Sequence, residues 1–121
     1  MIDHTGIGVA EVGRSAAFYD MALKALGLRR VMQIPENVGT DGIGYGVRFP
    51  VFWIDRFHPH SVRQHTAFAA KSRTEVDAFY AAAPRRAEPI MAPLVCGGQI
   101  IMLRLCSNPD GNNIEAVFRG D

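Results

Sequence analysis

Two short peptides recur at a single interval along this chain. His4-Thr5 returns as His65-Thr66, and Ala17-Phe18-Tyr19 returns as Ala78-Phe79-Tyr80, each shifted by 61 residues in a chain of 121. A repeat of half the chain predicts an internal duplication. Each copy is a supersecondary unit that cannot bury its own apolar face and must share a core with its neighbour.

The local patterns in the two halves agree in order. Ile2 to Ala10 alternates, with Ile7 and Val9 on one face and His4, Gly6 and Gly8 on the other. Val12, Ala16, Tyr19, Leu23 and Leu26 then form a helical stripe, and Gly27 stands where a left-handed residue ends a helix. Leu28–Ile34, Gly44–Phe49 and Val51–Phe57 read as three strands. In the second half Arg63–Ala70 alternates, with Phe68 and Ala70 opposite His65, Ala67 and Ala69. Ser72-Arg73-Thr74-Glu75 is a capping box in which Glu75 reaches back to the Ser72 N–H, and Pro84 stops the helix it opens. Strands are predicted near Glu88–Met91 and at Gln99–Leu105 and Asn113–Arg119. Asn108-Pro109-Asp110-Gly111 is the turn that makes the last two a hairpin. Each half is strand–helix–strand–strand–strand, with boundaries at about 1–57 and 63–121. The fold class is α+β.

Alternation also selects the residues that turn away from the helices. On both first strands a histidine, His4 or His65, is followed on its own face by Gly6 and Gly8 or by Ala67 and Ala69. Small side chains beside a polar one leave volume for a ligand. On the last strand Ile114, Ala116 and Phe118 form the apolar face, so Glu115 and Val117 lie opposite. Two histidines and a carboxylate are a ligand type that suits Fe, Mn, Zn or Ni. The competing reading makes each histidine a hydrogen-bonded core residue and pairs Glu115 with Arg48 or Arg104. Trp53 falls on the strand face it shares with Val51 and Asp55 and is read, with Asp55, as lining the pocket. His58-Pro59-His60 reads as a linker turn, and Ser15 and Ser72 as helix starters rather than nucleophiles.

Composition narrows the class of partner. Thirteen basic and twelve acidic residues leave a net charge of +1, which offers no electrostatic field for nucleic acid. No run of eighteen apolar residues and no charged-then-apolar leader is present, so no membrane partner and a cytoplasmic location are expected. Cys96 and Cys106 match no metal or redox spacing. The glycines at 39–46 precede no helix start and form no phosphate loop.

The opening Ile2-Asp3-His4-Thr5-Gly6-Ile7-Gly8-Val9, the Arg14–Tyr19 helix, Gly27-Leu28, His65-Thr66-Ala67-Phe68 and the closing run Asn108–Glu115 resemble the vicinal oxygen chelate superfamily. That superfamily includes glyoxalase I, bleomycin-resistance proteins and extradiol dioxygenases. The resemblance implies two tandem βαβββ modules forming a curved mixed sheet around a central cleft. It implies a divalent metal held by His4, His65 and Glu115, and a small-molecule substrate with vicinal oxygens. Glu115 would also serve as catalytic base of a lyase or ring-cleaving dioxygenase. The alternative that the resemblance offers is a metal-free binding protein of the bleomycin-resistance type. A homodimer is expected under both readings.

The chain departs from the family pattern at two places. The fourth ligand belongs on strand four, where the repeat interval carries Glu115 back to Ile54; neither neighbour is Glu, and Asp55 could serve only after a one-residue register change. Residues 84–107 contain no Tyr or His, although many relatives carry them on the corresponding strand.

Overall fold

The computed structural model describes residues 1–35, 41–83, 94–96 and 99–120. The first element, β1 (Thr5–Gly8), leads into α1 (Val12–Lys24), whose buried side chains follow the predicted stripe. Helix α1 ends in a Schellman motif: the Leu28 N–H bonds the Leu23 carbonyl, the Gly27 N–H bonds the Lys24 carbonyl, and Gly27 takes φ +77°. The chain continues through β2 (Arg29–Ile34), β3 (Gly42–Gly46) and β4 (Pro50–Asp55). The order across this sheet is β1-β4-β3-β2, with β1 parallel to β4 and the other pairs antiparallel.

The second half repeats the design with β5 (His65–Ala69), α2 (Arg73–Ala82), β6 (Leu94–Cys96), β7 (Gln99–Ser107) and β8 (Asn113–Arg119), ordered β5-β8-β7-β6. The Ser72 hydroxyl accepts from the Glu75 N–H, as a capping box requires. Glu75 itself reaches one residue further than expected, accepting from the Lys71 N–H at 2.7 Å. Ser15 does not start a helix: α1 begins after Glu11, and Ser15 is buried inside it. The strand expected near Glu88–Met91 lies outside the described residues. The edge strand that is described there is Leu94–Cys96. Each βαβββ module forms one four-stranded mixed sheet, as the resemblance implies.

Both helices lie on the face predicted for them. Ile7, Ile43, Tyr45, Phe52 and Ile54 are buried under α1, and Ile114 and Ala116 on the α2 side. Each large apolar side chain taken fully out of water contributes about 1.5–3 kcal/mol before entropy is counted. Helices α1 and α2 also touch one another. An aromatic chain continues across the join: Tyr19 lies 5.2 Å from Phe52, and Phe52 meets Phe68 of β5 edge-on at 5.0 Å. The modules therefore share one core.

A buried polar clasp fixes how they meet. Asn112, fully buried, donates from Nδ2 to the Ser61 carbonyl and accepts from the Gln64 N–H at 2.9 Å. Asn108 donates to the Tyr19 hydroxyl at 2.9 Å and accepts from the N–H groups of Asp110 and Asn112. Burial raises the Tyr19 hydroxyl pKa above its ordinary value, so it stays protonated at the join. The β7–β8 turn, with Gly111 at φ +89°, thus reaches both the linker and α1.

Removing Asn112 leaves the Gln64 N–H and the Ser61 carbonyl without their partner. Asn112→Ala is expected to lose about 2–3 kcal/mol in urea denaturation, and Tyr19→Phe about 1 kcal/mol. Equal and near-zero losses would show that the clasp contributes nothing to the join.

Candidate functional site

In module 2, β5 and β8 run parallel with His65 opposite Asn113, Thr66 opposite Ile114 and Ala67 opposite Glu115. His65 and Glu115 stand one pair apart on the face away from α2. The His65 Nε2 lies 3.4 Å from the Glu115 Oε2. The imidazole is half exposed, while the carboxylate side chain keeps only 12% of its surface. Glu115 therefore has His65 as a partner, while the Arg104 side chain of the competing reading lies outside the described residues. Ala67 and Ala69 beside them are exposed. This face is small, open and polar.

Module 1 presents a different face at the equivalent place. There Thr5 is opposite Phe52 and Gly6 is opposite Trp53. From Thr5 to Thr66 the shift is 61 residues, but from Phe52 to Ile114 it is 62. The structural counterpart of Glu115 is consequently Trp53 and not Ile54. Strand four places an indole where the carboxylate should be. An indole has no lone pair to offer a metal.

The setting of Trp53 follows from its neighbours. Across the sheet the register runs Met32, Gly44, Trp53, Gly6. A methyl group on Gly44 would meet the indole Cε2 and Cζ2 at 3.0 Å, so the ring lies directly over that glycine. A methyl on Gly6 would meet the Trp53 Cβ at 3.1 Å. The indole thus lies across the sheet, half-buried, with Met32 and Val51 exposed on the same face.

The next row explains Gly8 and Asp55. A methyl on Gly8 would reach the His58 carbonyl at 2.6 Å, because the linker crosses the sheet at this point and the Ser61 N–H bonds the Gly8 carbonyl. The space expected beside Gly8 is filled by backbone. Asp55, paired with Gly8, is buried and accepts from the N–H groups of Phe57 and His58 at 2.9 and 3.1 Å. Its Oδ1 also lies 3.0 Å from His58 Nδ1. Asp55 is occupied in holding the linker turn.

His4 precedes β1, is exposed, and lies with Nδ1 2.7 Å from the Asp3 carboxylate. The structure thus brings His65 and Glu115 together and leaves His4 apart. Among the described residues no group of three or more His, Cys, Asp or Glu side chains is placed to hold a metal ion. Cys106 is buried, and burial pushes its thiol up to about 12, which leaves it inert as a ligand or nucleophile. The functional position missed in the sequence is that of Trp53 as the Glu115 counterpart; the only signal was its parity with Val51 and Asp55.

This architecture agrees with the comparisons. The family model of the Glyoxalase/Bleomycin resistance protein/Dioxygenase superfamily matches residues 1–116, and the chain belongs to that superfamily. Among solved structures it is similar to a glyoxalase/bleomycin resistance protein from Albidiferax ferrireducens T118, with 26% identity over 97% of this chain and 98% of that one, and a TM-score of 0.73. It shares its fold with a glyoxylase/bleomycin resistance protein/dioxygenase domain from Frankia sp. EAN1pec, at 13% identity, coverage of 99% and 98%, and a TM-score of 0.65. A glyoxalase/bleomycin resistance protein from Catenulispora acidiphila has the same fold, at 13% identity, 95% coverage of both chains and a TM-score of 0.61. No curated protein matches the chain significantly. Among the described residues no helix is long and apolar enough to cross a membrane.

The crossing of the linker over Gly8 gives a test of this geometry. Gly8→Ala is expected to lose about 1–3 kcal/mol by overpacking against backbone. Gly13→Ala, in α1 with open space around it, should instead gain up to about 1 kcal/mol. Thermal melts of both variants check the pair, and an unchanged Gly8→Ala would refute the close crossing.

Proposed function

We propose that this protein binds a small molecule without a metal, in the manner of the bleomycin-resistance branch of its superfamily. The observation that carries the reading is the replacement of the strand-four carboxylate by Trp53. The register aligns it with Glu115, so the departure is one of chemistry and not of alignment. The alternative donor, Asp55, is engaged by the linker. The residues within one chain therefore do not fit a metal centre, and no catalytic step is derived through one.

The ligand would rest on two unlike surfaces. Trp53, Met32 and Val51 offer an apolar surface with a π-face, suited to an aromatic or hydrophobic body. His65 and Glu115 offer a donor–acceptor pair for a polar substituent. Phe49, Phe57, Val51 and Met32 are 73%, 49%, 42% and 51% exposed, an apolar area that a second copy of the chain would cover. We place the ligand between module 1 of one copy and module 2 of another, in a homodimer.

The competing reading is a metal-dependent lyase or dioxygenase using His4, His65 and Glu115, with Glu115 as base. It is favoured by the closeness of His65 and Glu115. Metal content separates the two. Protein purified without chelator and without nickel resin is expected to carry far less than one Fe, Mn, Zn or Ni ion per chain. Trp53 is the sole tryptophan, so its fluorescence reports on this face alone. The planar probe 9-aminoacridine should quench it saturably. One bound ion per chain, lost in His4→Ala and Glu115→Gln, would overturn the proposal in favour of the enzyme.

A further inference from the structure

The helix side of the module 1 sheet, opposite Trp53, carries a groove of about 500 Å³ that the proposed function does not use. It opens between the end of α1 and the start of β2, with Leu28 on its wall and the buried Tyr45 beneath it. A volume of this size suits a small organic molecule. Its charge is lopsided. Lys24, Arg29 and Arg30 line it against a single acid, Asp20.

That acid is already engaged. Asp20 Oδ1 accepts from Arg30 Nε at 2.7 Å and from the Tyr45 hydroxyl at 2.9 Å, and its Oδ2 accepts from Arg30 Nη2 on the same edge of the guanidinium. Burial would raise the Asp20 carboxyl, but the Arg30 and Tyr45 hydrogen bonds and the Arg30 charge hold it below its ordinary 3.8. The fork fixes the Arg30 guanidinium while leaving Nη1 outside it. Lys24 stands one turn after Asp20 and forms no ion pair among the described residues. Arg29 gives a single bond, at 3.3 Å, to the Val47 carbonyl. Two of the carbonyls at the end of α1, those of Leu23 and Lys24, are closed by the Leu28 and Gly27 N–H groups.

We propose that this groove is a second binding site, for a small amphiphilic anion whose acidic head meets Lys24, Arg29 and the free edge of Arg30 while its apolar body lies against Leu28. Asp20 and Tyr45 act as positioning residues, since they orient Arg30 and do not meet the ligand head. Charge complementarity selects the sign of the ligand, and the apolar walls exclude a bare inorganic ion as the best fit.

The probe is octanoate, titrated into isotopically labelled full-length protein and followed by amide chemical shifts. Saturating shifts are expected at Gly27, Leu28, Arg29 and Tyr45. Neutral octanol at the same concentration should leave those amides unmoved. Both Lys24 and Arg29 are exposed, so Lys24→Glu/Arg29→Glu should fold normally while weakening octanoate at least about tenfold. The wild-type affinity should also fall with added salt. An unchanged affinity in the charge-reversal variant, equal shifts with octanol, or shifts confined to the Trp53 face would overturn the proposal. None of these results bears on the metal content or the Trp53 quenching that test the proposed function.

Discussion

The fold depends on a join between two modules that are individually incomplete, and the Asn108–Asn112 turn fixes that join. Apolar contact alone, through Tyr19, Phe52 and Phe68, would hold the modules together without defining one orientation. The two asparagines supply the direction. Each is buried and has several partners, so a shifted arrangement would strand its own donors and acceptors away from water. The Asp110 carboxylate extends the same contact by accepting from the Ala10 N–H at 3.1 Å. A motif first read as a hairpin turn is also the hinge pin of the whole chain. Its second role involves residues 48 to 89 positions away, which local turn chemistry cannot reveal.

Much of the fold was legible because duplication and periodicity are both properties of the chain itself. The 61-residue shift gave the two modules, and the stripe from Val12 to Leu26 gave α1 with its Gly27 end. Alternation placed Ile7 and Val9 toward the helix, and both are buried. The same alternation put His65 and Glu115 on one face, where they lie 3.4 Å apart. What escaped was the alignment of β4 with β8. A repeat interval assumes equal loops in both copies, and here one extra residue separates the first and last strands of module 2. The β3–β4 ladder of module 1 also shifts its register between Tyr45 and Gly46. A single residue is enough to exchange Ile54, which faces the core, for Trp53, which faces away.

The meaning of small residues was legible only in part. Gly6, Gly8 and Gly44 all lack side chains, and sequence alone reads Gly6 and Gly8 as room for a ligand. In the structure the indole lies over Gly44, the Trp53 Cβ abuts Gly6, and the linker backbone crosses Gly8. Glycine on a strand marks a close approach without saying by what. Here the approaching groups belong to the protein. In module 2 the corresponding Ala67 and Ala69 are exposed. The two copies of one design have diverged in what covers their faces.

That divergence has a chemical consequence. A pseudo-symmetric pair of carboxylates would make both faces acidic, and a cation would be the natural way to relieve their repulsion. With Trp53 in one position that repulsion is absent. The remaining carboxylate has a histidine beside it and is already largely withdrawn from water. The same exchange supplies a flat, polarisable surface that a carboxylate cannot. On the proposed reading, a single residue thus shifts the balance of the site from holding an ion toward holding a ring. The scaffold can make this exchange because its strands are fixed elsewhere, by the shared core and by the asparagine turn. Neither of those anchors touches the outward faces, so the site is free to change its chemistry while the fold stays as it is.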